Sequence, residues 1–236
     1  MSIFPLNVAG ISVKIRKKQI IQEVSLTLPR GGVHVLIGPN GAGKTTLMRA
    51  LHGVQRTSAG RIEWAVPAAQ AQMAQGFVFQ SPVMLRRSVL HNLTYPLTLH
   101  GMRQSEAEPM ARDWAARFGL DAQLDQMAPS LSGGEQLKLA LARALIRGPE
   151  LVFLDEPSAA LDGRSVREFE EAIQLAKAQG VTFVLCTHDM GQARRLADYV
   201  HFMYKGRIHE HGAAEHVLHS PSTLEAQRFL RGDILE

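Results

Sequence analysis

The stretch that decides the fold of this 236-residue chain is Gly38-Pro-Asn-Gly-Ala-Gly-Lys-Thr-Thr46. It follows Val33-His-Val-Leu-Ile37, an apolar and β-branched run that predicts a buried strand. It leads into the segment from Lys44 to Leu51, whose apolar spacing predicts a helix. A glycine-rich loop between a strand and a helix is the context that the pattern G-x-x-x-x-G-K-[ST] requires. The sequence therefore predicts a phosphate-binding loop.

Each residue type in this loop has a chemical reason. Glycines let the backbone curl so that successive N–H groups face phosphate oxygens at the positive end of the following helix. In this pattern the lysine, Lys44, reaches the β- and γ-phosphates, and Thr45 places its hydroxyl on Mg²⁺. We therefore predict a nucleotide-binding segment made of Gly38, Pro39, Asn40, Gly41, Ala42, Gly43, Lys44, Thr45 and Thr46.

Apolar runs and helix-period segments alternate along the rest of the chain. The other predicted strands are Gly76-Phe-Val-Phe79, Leu151-Val-Phe-Leu154, Val181 to Cys186, and Val200-His-Phe-Met-Tyr204. Near-continuous apolar strands that alternate with helices indicate a mostly parallel sheet covered on both faces. From about Arg86 to Gly148 the pattern is helical, without a convincing strand. We therefore expect a helical insertion in an α/β domain.

The bulk composition fits one domain. The chain is 45% hydrophobic and 20% charged, as in ordinary soluble globular proteins. Its single cysteine, Cys186, lies in an apolar run and is expected to be buried. The N-terminus lacks a signal-peptide pattern, and no stretch reaches the roughly 18 apolar residues that span a bilayer. We therefore expect a cytoplasmic chain without a transmembrane helix.

The net charge of +4 is spread over short clusters, and only 6% of the residues are aromatic. A nucleic-acid surface would need a basic stripe with interleaved aromatic side chains. The composition therefore favours a solvated surface, and we expect no nucleic-acid partner.

A second chemical feature is the strand-like run Leu151-Val-Phe-Leu-Asp-Glu-Pro157. It places Asp155 and Glu156 at the carboxyl edge of the sheet, where ligands bind in open α/β folds. We predict that Asp155 holds Mg²⁺, since this ion prefers one or two carboxylates together with waters. Glu156 would then be free to orient or deprotonate an attacking water.

The run Leu131-Ser-Gly-Gly-Glu135 resembles the signature motif of the ATP-binding cassette (ABC) family, whose commonest form ends in glutamine. In that family the motif binds the γ-phosphate held by a partner subunit. A serine hydroxyl, bare glycine amides and a helix N-terminus form such an anion site without a lysine. The resemblance thus implies a partner-facing site made of Ser132, Gly133, Gly134 and Glu135.

Three further segments resemble the family in the expected order. Gln80, placed at the end of a strand, resembles the glutamine that contacts Mg²⁺ and the attacking water. Ser158-Ala-Ala-Leu-Asp162 resembles the loop that crosses the dimer interface, and His188 resembles the switch histidine that contacts the γ-phosphate. The resemblance extends from about Ile11 to Leu235.

The resemblance implies a phosphate-loop (RecA-like) fold with a mostly parallel sheet, an antiparallel β portion and an inserted α-helical subdomain. A single ABC ATPase domain would fill residues 1–236, with the core at 1–85 and 149–236 and the helical subdomain at 86–148. The implied activity is Mg²⁺-dependent ATP hydrolysis by a head-to-tail homodimer or paired cassette. The implied location is the cytoplasmic face of the inner (plasma) membrane, peripherally bound to permease subunits and indirectly served by a substrate-binding protein.

Two positions depart from the family pattern. Where an aromatic ring usually stacks on adenine, this chain has Ile15, so Ile15 is the expected base contact without a matched π-surface. The signature ends in Glu135, a change that we expect to leave the phosphate donors in place.

The expectation for the transported solute comes only from a resemblance to importer ATPases. The segment from Leu85 to Leu97 is similar to importer ATPases for oxyanions, and Arg-Arg-Ser-Val at 86–89 looks most like the tungstate-import subfamily. An exporter cassette is one alternative. A soluble ABC protein of DNA repair, translation or cluster assembly is another, although the chain lacks the long coiled-coil insertion or tandem cassette usual in those roles.

Overall fold

The computed structural model describes residues 2–157 and 162–235. The strands are β1 (Leu6–Ile15), β2 (Lys18–Leu28), β3 (Val33–Ile37), β4 (Ala59–Glu63), β5 (Gln75–Val78), β6 (Leu151–Asp155), β7 (Thr182–Cys186), β8 (Tyr199–Tyr204) and β9 (Arg207–Ala213). The α-helices are α1 (Lys44–His52), α2 (Ala68–Met73), α3 (Val89–Leu99), α4 (Gln104–Arg117), α5 (Gly133–Leu145), α6 (Gly163–Ala178), α7 (Met190–Leu196), α8 (Ala214–His219) and α9 (Leu224–Arg231).

A six-stranded sheet in the order β5-β6-β7-β3-β8-β9 forms the centre of the molecule. The first five strands of that order are parallel, and β9 runs antiparallel to β8. Every residue of β3, β6 and β7 is buried, because helices and a second sheet cover the two faces. The predicted α/β fold with a mostly parallel sheet is confirmed.

A three-stranded antiparallel sheet in the order β2-β1-β4 lies beside the central sheet. Buried and exposed residues largely alternate along its two long strands, as expected when one face meets solvent. A two-residue turn joins these strands, so that Ile15 pairs with Lys18. This sheet supplies the expected antiparallel portion.

Three apolar clusters make up the core. One fills the space between the two sheets around α1 and includes Leu47 and Phe153. Another covers the opposite face of the central sheet beneath α5 to α9 and includes Phe169 and Phe202. A third, with Ala111 at its centre, joins α3 and α4 to α5 within the segment predicted to be helical. Helix α5 belongs to two clusters and so links the helical segment to the sheet.

Three details of the structure concern the sequence predictions for Gln80, for Cys186 and for membrane-spanning helices. Strand β5 ends at Val78, so Gln80 lies in the loop beyond the strand and does not end it. Cys186 is fully buried, as predicted, and burial raises the pKa of its thiol. No helix in the described part of the chain has both the length and the apolar content needed to cross a bilayer.

A buried histidine pair links two neighbouring strands of the central sheet. Nε2 of His201 lies 3.4 Å from Nδ1 of His34, and the Tyr199 ring stacks on His34 with centroids 4.8 Å apart. The outer nitrogen of each histidine is buried and has no hydrogen-bond partner in the described ranges. Burial lowers the pKa of His34 to about 4, against the opposing Gly31 carbonyl and Asp198 carboxylate.

For His201, burial is again the main cause, and the neighbouring imidazoles of His34 and His211 add to it, lowering the pKa to about 3. In the unfolded chain both groups titrate near 6.5. Below that pH the unfolded state therefore binds more protons than the folded state, and stability falls as pH falls. For each histidine, the loss of unfolding free energy is expected to steepen as the pH falls through about 6.5 and to approach about 1.4 kcal/mol per pH unit near pH 5, above the range of ordinary carboxylates.

Urea unfolding between pH 7.5 and 5 measures this slope. We expect His201→Phe, which keeps a ring but removes the titrating group, to show a shallower loss than the parent. An unchanged slope in that variant would contradict the assignment of the acid sensitivity to this pair.

Candidate nucleotide site

The phosphate-binding loop follows β3 and curls tightly against the central sheet. Gly38 has φ of 143°, and a Cβ there would lie 2.0 Å from the carbonyl oxygen of Met203. Gly43 has φ of 102°, and a Cβ there would lie 2.7 Å from Cδ1 of Ile21. Only glycine fits both positions, because each combines a left-handed backbone with close neighbours.

Helix α1 begins without a capping side chain, unlike several other helices. The N-terminal N–H groups of five helices are capped by the side chains of Ser88, Ser132, Asp162, Asp189 and Thr223. The residue before α1 is Gly43, and its first turn contains no acidic side chain. The positive end of α1 thus stays available for an anion.

The loop lysine is buried over the loop. Lys44 is 5% exposed, and its Nζ donates hydrogen bonds to the carbonyl oxygens of Gly38 at 2.8 Å and Pro39 at 3.2 Å. This position holds a positive charge beside the start of α1, as the loop pattern predicts.

The next residue connects the loop to the carboxylate at the end of β6. Thr45 donates its hydroxyl hydrogen to Oδ1 of Asp155 at 2.8 Å. Asp155 is 2% exposed, and burial raises the pKa of its carboxyl group, opposed by the Thr45 hydrogen bond and by Arg49. A cation beside such a carboxylate and hydroxyl would stabilise the charged form of the carboxylate, because it replaces the hydration that burial removes.

Glu156 lies at the centre of a three-residue group. It has a left-handed backbone with φ of 45°, which is strained for a residue with a side chain, and its N–H donates to the carbonyl oxygen of Cys186 at 3.0 Å. Gln80 donates its amide hydrogen to Oε2 of Glu156 at 3.2 Å. Nδ1 of His188 lies 3.4 Å from the same oxygen. The structure thus brings together three of the predicted catalytic residues, each just beyond the end of one of the neighbouring strands β5, β6 and β7.

A cleft of about 290 Å³ opens over the loop, and two of its lining residues were missed by sequence reasoning. Lys18 and Ile20, both on β2, line it together with Asn40, Gly41, Gly43, Lys44, Thr45, Thr46 and Glu156. Ile15 is not among the lining residues in the described part of the chain; it pairs with Lys18 across the hairpin and is 43% exposed. The two-residue turn after Ile15 was the available signal, because it brings the start of β2 back towards the loop.

The role of Ile15 in base binding stays a prediction. We expect Ile15→Tyr to tighten ATP binding about tenfold, since base–aromatic stacking contributes roughly 1 to 3 kcal/mol where it has been assessed. If the guanidinium of Arg16 already stacks on the base, Arg16→Ala should weaken binding instead. ATP affinity of the isolated monomer distinguishes these cases. No gain from the tyrosine and no loss from the alanine would contradict the placement of this turn at the base.

The signature residues lie at the start of α5, apart from the loop. Within the described ranges, none of Ser132, Gly133, Gly134 and Glu135 lines the cleft over the phosphate loop. Ser132 is the N-cap of α5, and its hydroxyl donates to Oε2 of Glu135 at 2.7 Å. The Ser132 hydroxyl therefore makes a hydrogen bond within its own chain, as part of the helix cap.

The predicted interface loop falls mostly outside the described residues. Of Ser158 to Asp162, only Asp162 is described, and its carboxylate accepts a hydrogen bond from the N–H of Ser165 at 2.8 Å at the start of α6.

These features define a class of protein. A phosphate-binding loop, an uncapped helix start and two carboxylates at the edge of a mostly parallel sheet are the parts of a phosphate-loop nucleoside triphosphatase. The profile of the ABC transporter family matches residues 21–159, more than half of the chain. The chain belongs to the ABC transporter family and is an ATP-hydrolysing cassette.

The chain is similar to named transport ATP-binding proteins of similar length. The chain is 34% identical to the phosphate import ATP-binding protein PstB 2 of Natronomonas pharaonis, over 98% of this chain and 87% of the relative. It is 34% identical to the glutamate transport ATP-binding protein GluA of Corynebacterium glutamicum, over 98% of this chain and 99% of the relative. It is 32% identical to the glutamine transport ATP-binding protein GlnQ of Escherichia coli, over 94% and 97%.

A solved structure has the same fold. The ADP conformation of MJ1267, an ATP-binding cassette of an ABC transporter, matches with a TM-score of 0.78 at 24% identity, covering 94% of this chain and 98% of that one.

Proposed function

We propose that this chain energises import of a solute through a separate membrane permease, acting as one half of a dimer. The observation that carries the proposal is the convergence of Gln80 and His188 on Glu156, beside the phosphate loop. This arrangement supports a role for Glu156 as the base, with Gln80 and His188 as orienting side chains beside the γ-phosphate of bound ATP.

In the proposed reaction, water attacks the γ-phosphate in line with the bond to the leaving group. Lys44 and the N–H groups at the start of α1 bind the phosphates, which fixes the reacting atom. Glu156 orients the water and accepts its proton, while Gln80 and His188 hold the Glu156 carboxylate in place. Positioning and electrostatic stabilisation supply most of the rate gain.

ABC ATPases generally use Mg²⁺ together with ATP, and the residues around the loop fit this ion. The Thr45 hydroxyl and the Asp155 carboxylate lie 2.8 Å apart, and Gln80 donates a hydrogen bond to Glu156, the residue after Asp155. Mg²⁺ prefers oxygen ligands, keeps several waters and is commonly held by one or two carboxylates with substrate phosphates. When bound, the ion would neutralise charge on the phosphates. We propose Thr45, Asp155 and Gln80 as the residues that hold it, with water between the ion and Asp155.

The dimer follows from the separation of the two phosphate-binding features. The phosphate loop and the signature motif of one chain do not line one cleft in the described residues. In a head-to-tail pair, each signature motif would face the loop of the other subunit. The pair can be a homodimer or two related cassettes, and ATP bound between them would stabilise the closed form.

The permease would bind near α3, where apolar side chains are exposed. Tyr95 and Leu99 lie one helical turn apart on α3 and are 47% and 62% exposed. Val83, in the preceding loop, is 63% exposed. A cleft of about 190 Å³ nearby contains Pro96 of α3 and Arg143 of α5. An apolar surface with a basic side chain suits a short amphipathic segment of a permease.

Co-purification from detergent-solubilised membranes tests this proposal. We expect the wild-type chain to bring down a permease, and Leu99→Asp to lose it while the isolated subunit still hydrolyses ATP. Leu175→Asp is the matched control, because Leu175 is 68% exposed on α6 and should keep the permease. Equal recovery of permease by both variants would contradict the placement of the docking surface.

For the solute we propose an oxyanion, with tungstate as the specific candidate. The support is the similarity of the segment from Leu85 to Leu97 to oxyanion importers, together with a relative named for phosphate import. The relative named for phosphate import also supports import over export. Relatives named for glutamate and glutamine transport point to other solutes. Identification of the co-purified permease and of any binding protein decides between them.

A further inference from the structure

The signature motif holds a carboxylate inside its own group of phosphate donors. Ser132 donates its backbone N–H to Oε2 of Glu135 at 2.9 Å and its hydroxyl hydrogen to the same oxygen at 2.7 Å. Gln123 donates its amide hydrogen to the other oxygen, Oε1, at 3.2 Å. These contacts hold Glu135 against the start of α5, where a phosphate from another subunit would have to bind.

The carboxylate is charged at neutral pH. The Ser132 hydroxyl and then the Ser132 N–H, both donating to it, lower the pKa of Glu135, against a small opposing effect of burial. Lys138 also lowers the pKa of Glu135 by its charge, but its ion pair is with Glu168, whose Oε2 lies 2.8 Å from the lysine Nζ. A negative charge therefore remains at the N-terminus of α5.

We propose that Glu135 competes with the partner-bound γ-phosphate for Ser132 and thereby sets the ATP concentration at which the dimer closes. This inference rests on the proposed two-subunit site, since only a second subunit brings a phosphate to Ser132. For the phosphate to accept the serine hydroxyl hydrogen, that hydrogen must leave Glu135. The phosphate must also approach a like charge, which is unfavourable. Glu135 is thus a positioning residue that acts through Ser132.

The test is Glu135→Gln, made in the Glu156→Gln background so that the ATP-bound dimer accumulates. Glutamine keeps an oxygen that can accept both Ser132 hydrogen bonds, so the helix cap is preserved while the charge is lost. We expect the ATP concentration for half-maximal dimerisation, measured by light scattering, to fall roughly fivefold at low salt. The difference in this concentration between variant and parent should shrink at high ionic strength, because salt screens the charge of Glu135. A purely structural role of Glu135 would not predict such a salt dependence.

Glu106→Gln is the matched control. Glu106 occupies the equivalent position in α4, where it accepts a hydrogen bond from the N–H of Arg103 at 3.4 Å. The substitution Glu106→Gln removes the same charge from a helix start outside the signature motif, and we expect it to leave the ATP requirement unchanged. Glu135→Ala, checked for folding by its Tm, should also lower the ATP requirement although it removes the Glu135 half of the capping box.

An unchanged or higher ATP requirement in Glu135→Gln would overturn the role of Glu135 while leaving the dimer intact. Equal effects of Glu106→Gln and Glu135→Gln would overturn it too, because they would reflect net charge alone. If the Glu156→Gln parent itself fails to dimerise with ATP, the proposed two-subunit site fails, and this inference fails with it.

Discussion

Glu156→Gln is expected to lower ATP turnover about a hundredfold or more, which corresponds to about 2.7 kcal/mol of activation free energy. The amide keeps the size of the side chain and can still accept a hydrogen bond from Gln80, but it loses the negative charge and the basicity. ATP binding should persist, since Lys44 and the start of α1 are unchanged. The variant should therefore accumulate as an ATP-stabilised dimer.

Phosphate release at saturating ATP measures the loss of turnover. Nucleotide binding measures the retained ATP affinity, and light scattering measures the accumulated dimer. Glu171→Gln is a suitable control, because Glu171 is an exposed carboxylate on α6. It should hydrolyse ATP at the parent rate. Turnover of Glu156→Gln within about threefold of the parent, less than about 1 kcal/mol of barrier, would show that Glu156 is not the base.

Ser132→Arg and Lys44→Ala are each expected to be nearly inactive alone and to regain activity when mixed. The arginine blocks the phosphate site that faces the partner, and the alanine removes the loop lysine. In a mixed dimer one composite site carries both lesions and the other carries neither. With random pairing, about half of the dimers are mixed, and one of the two sites in each mixed dimer is intact. Roughly a quarter of all sites would therefore be intact.

Folding of Ser132→Arg needs its own control, since loss of an N-cap costs about 1 kcal/mol of stability. Ser88→Arg makes the same change at the N-cap of α3, outside the signature motif, and should leave hydrolysis by the isolated subunit intact. No recovery in the mixture, or a rate strictly proportional to protein concentration at high dilution, would count against the dimer.

The chemistry of the phosphate loop could be predicted from the sequence because it is local. The order of strand, glycines, lysine and helix is contiguous from Val33 to Leu51, and glycine spacing alone dictates where the backbone curls. The position of Asp155 and Glu156 was also predictable, since carboxylates that directly follow a buried strand must lie at its carboxyl end. Burial of Cys186 follows in the same way from its apolar neighbours.

Side-chain contacts between distant segments were not predictable in this way. Ile15 was expected at the base, yet Lys18 and Ile20 line the cleft, because the hairpin turn decides which strand faces the loop. The capping box of Ser132 and Glu135 is a local contact instead, and the spacing Ser-x-x-Glu was the available signal for it.

The group at Glu156 is the clearest case of what tertiary structure decides. Family resemblance singled out Gln80 and His188, but their contacts with Glu156 depend on the neighbouring positions of β5, β6 and β7 in the central sheet. Local sequence determined each strand and the polar residue after it, because burial and backbone conformation are short-range properties. Strand order and register are set by packing across the whole domain, so only the folded sheet brings the side chains of Gln80 and His188 onto one carboxylate oxygen of Glu156.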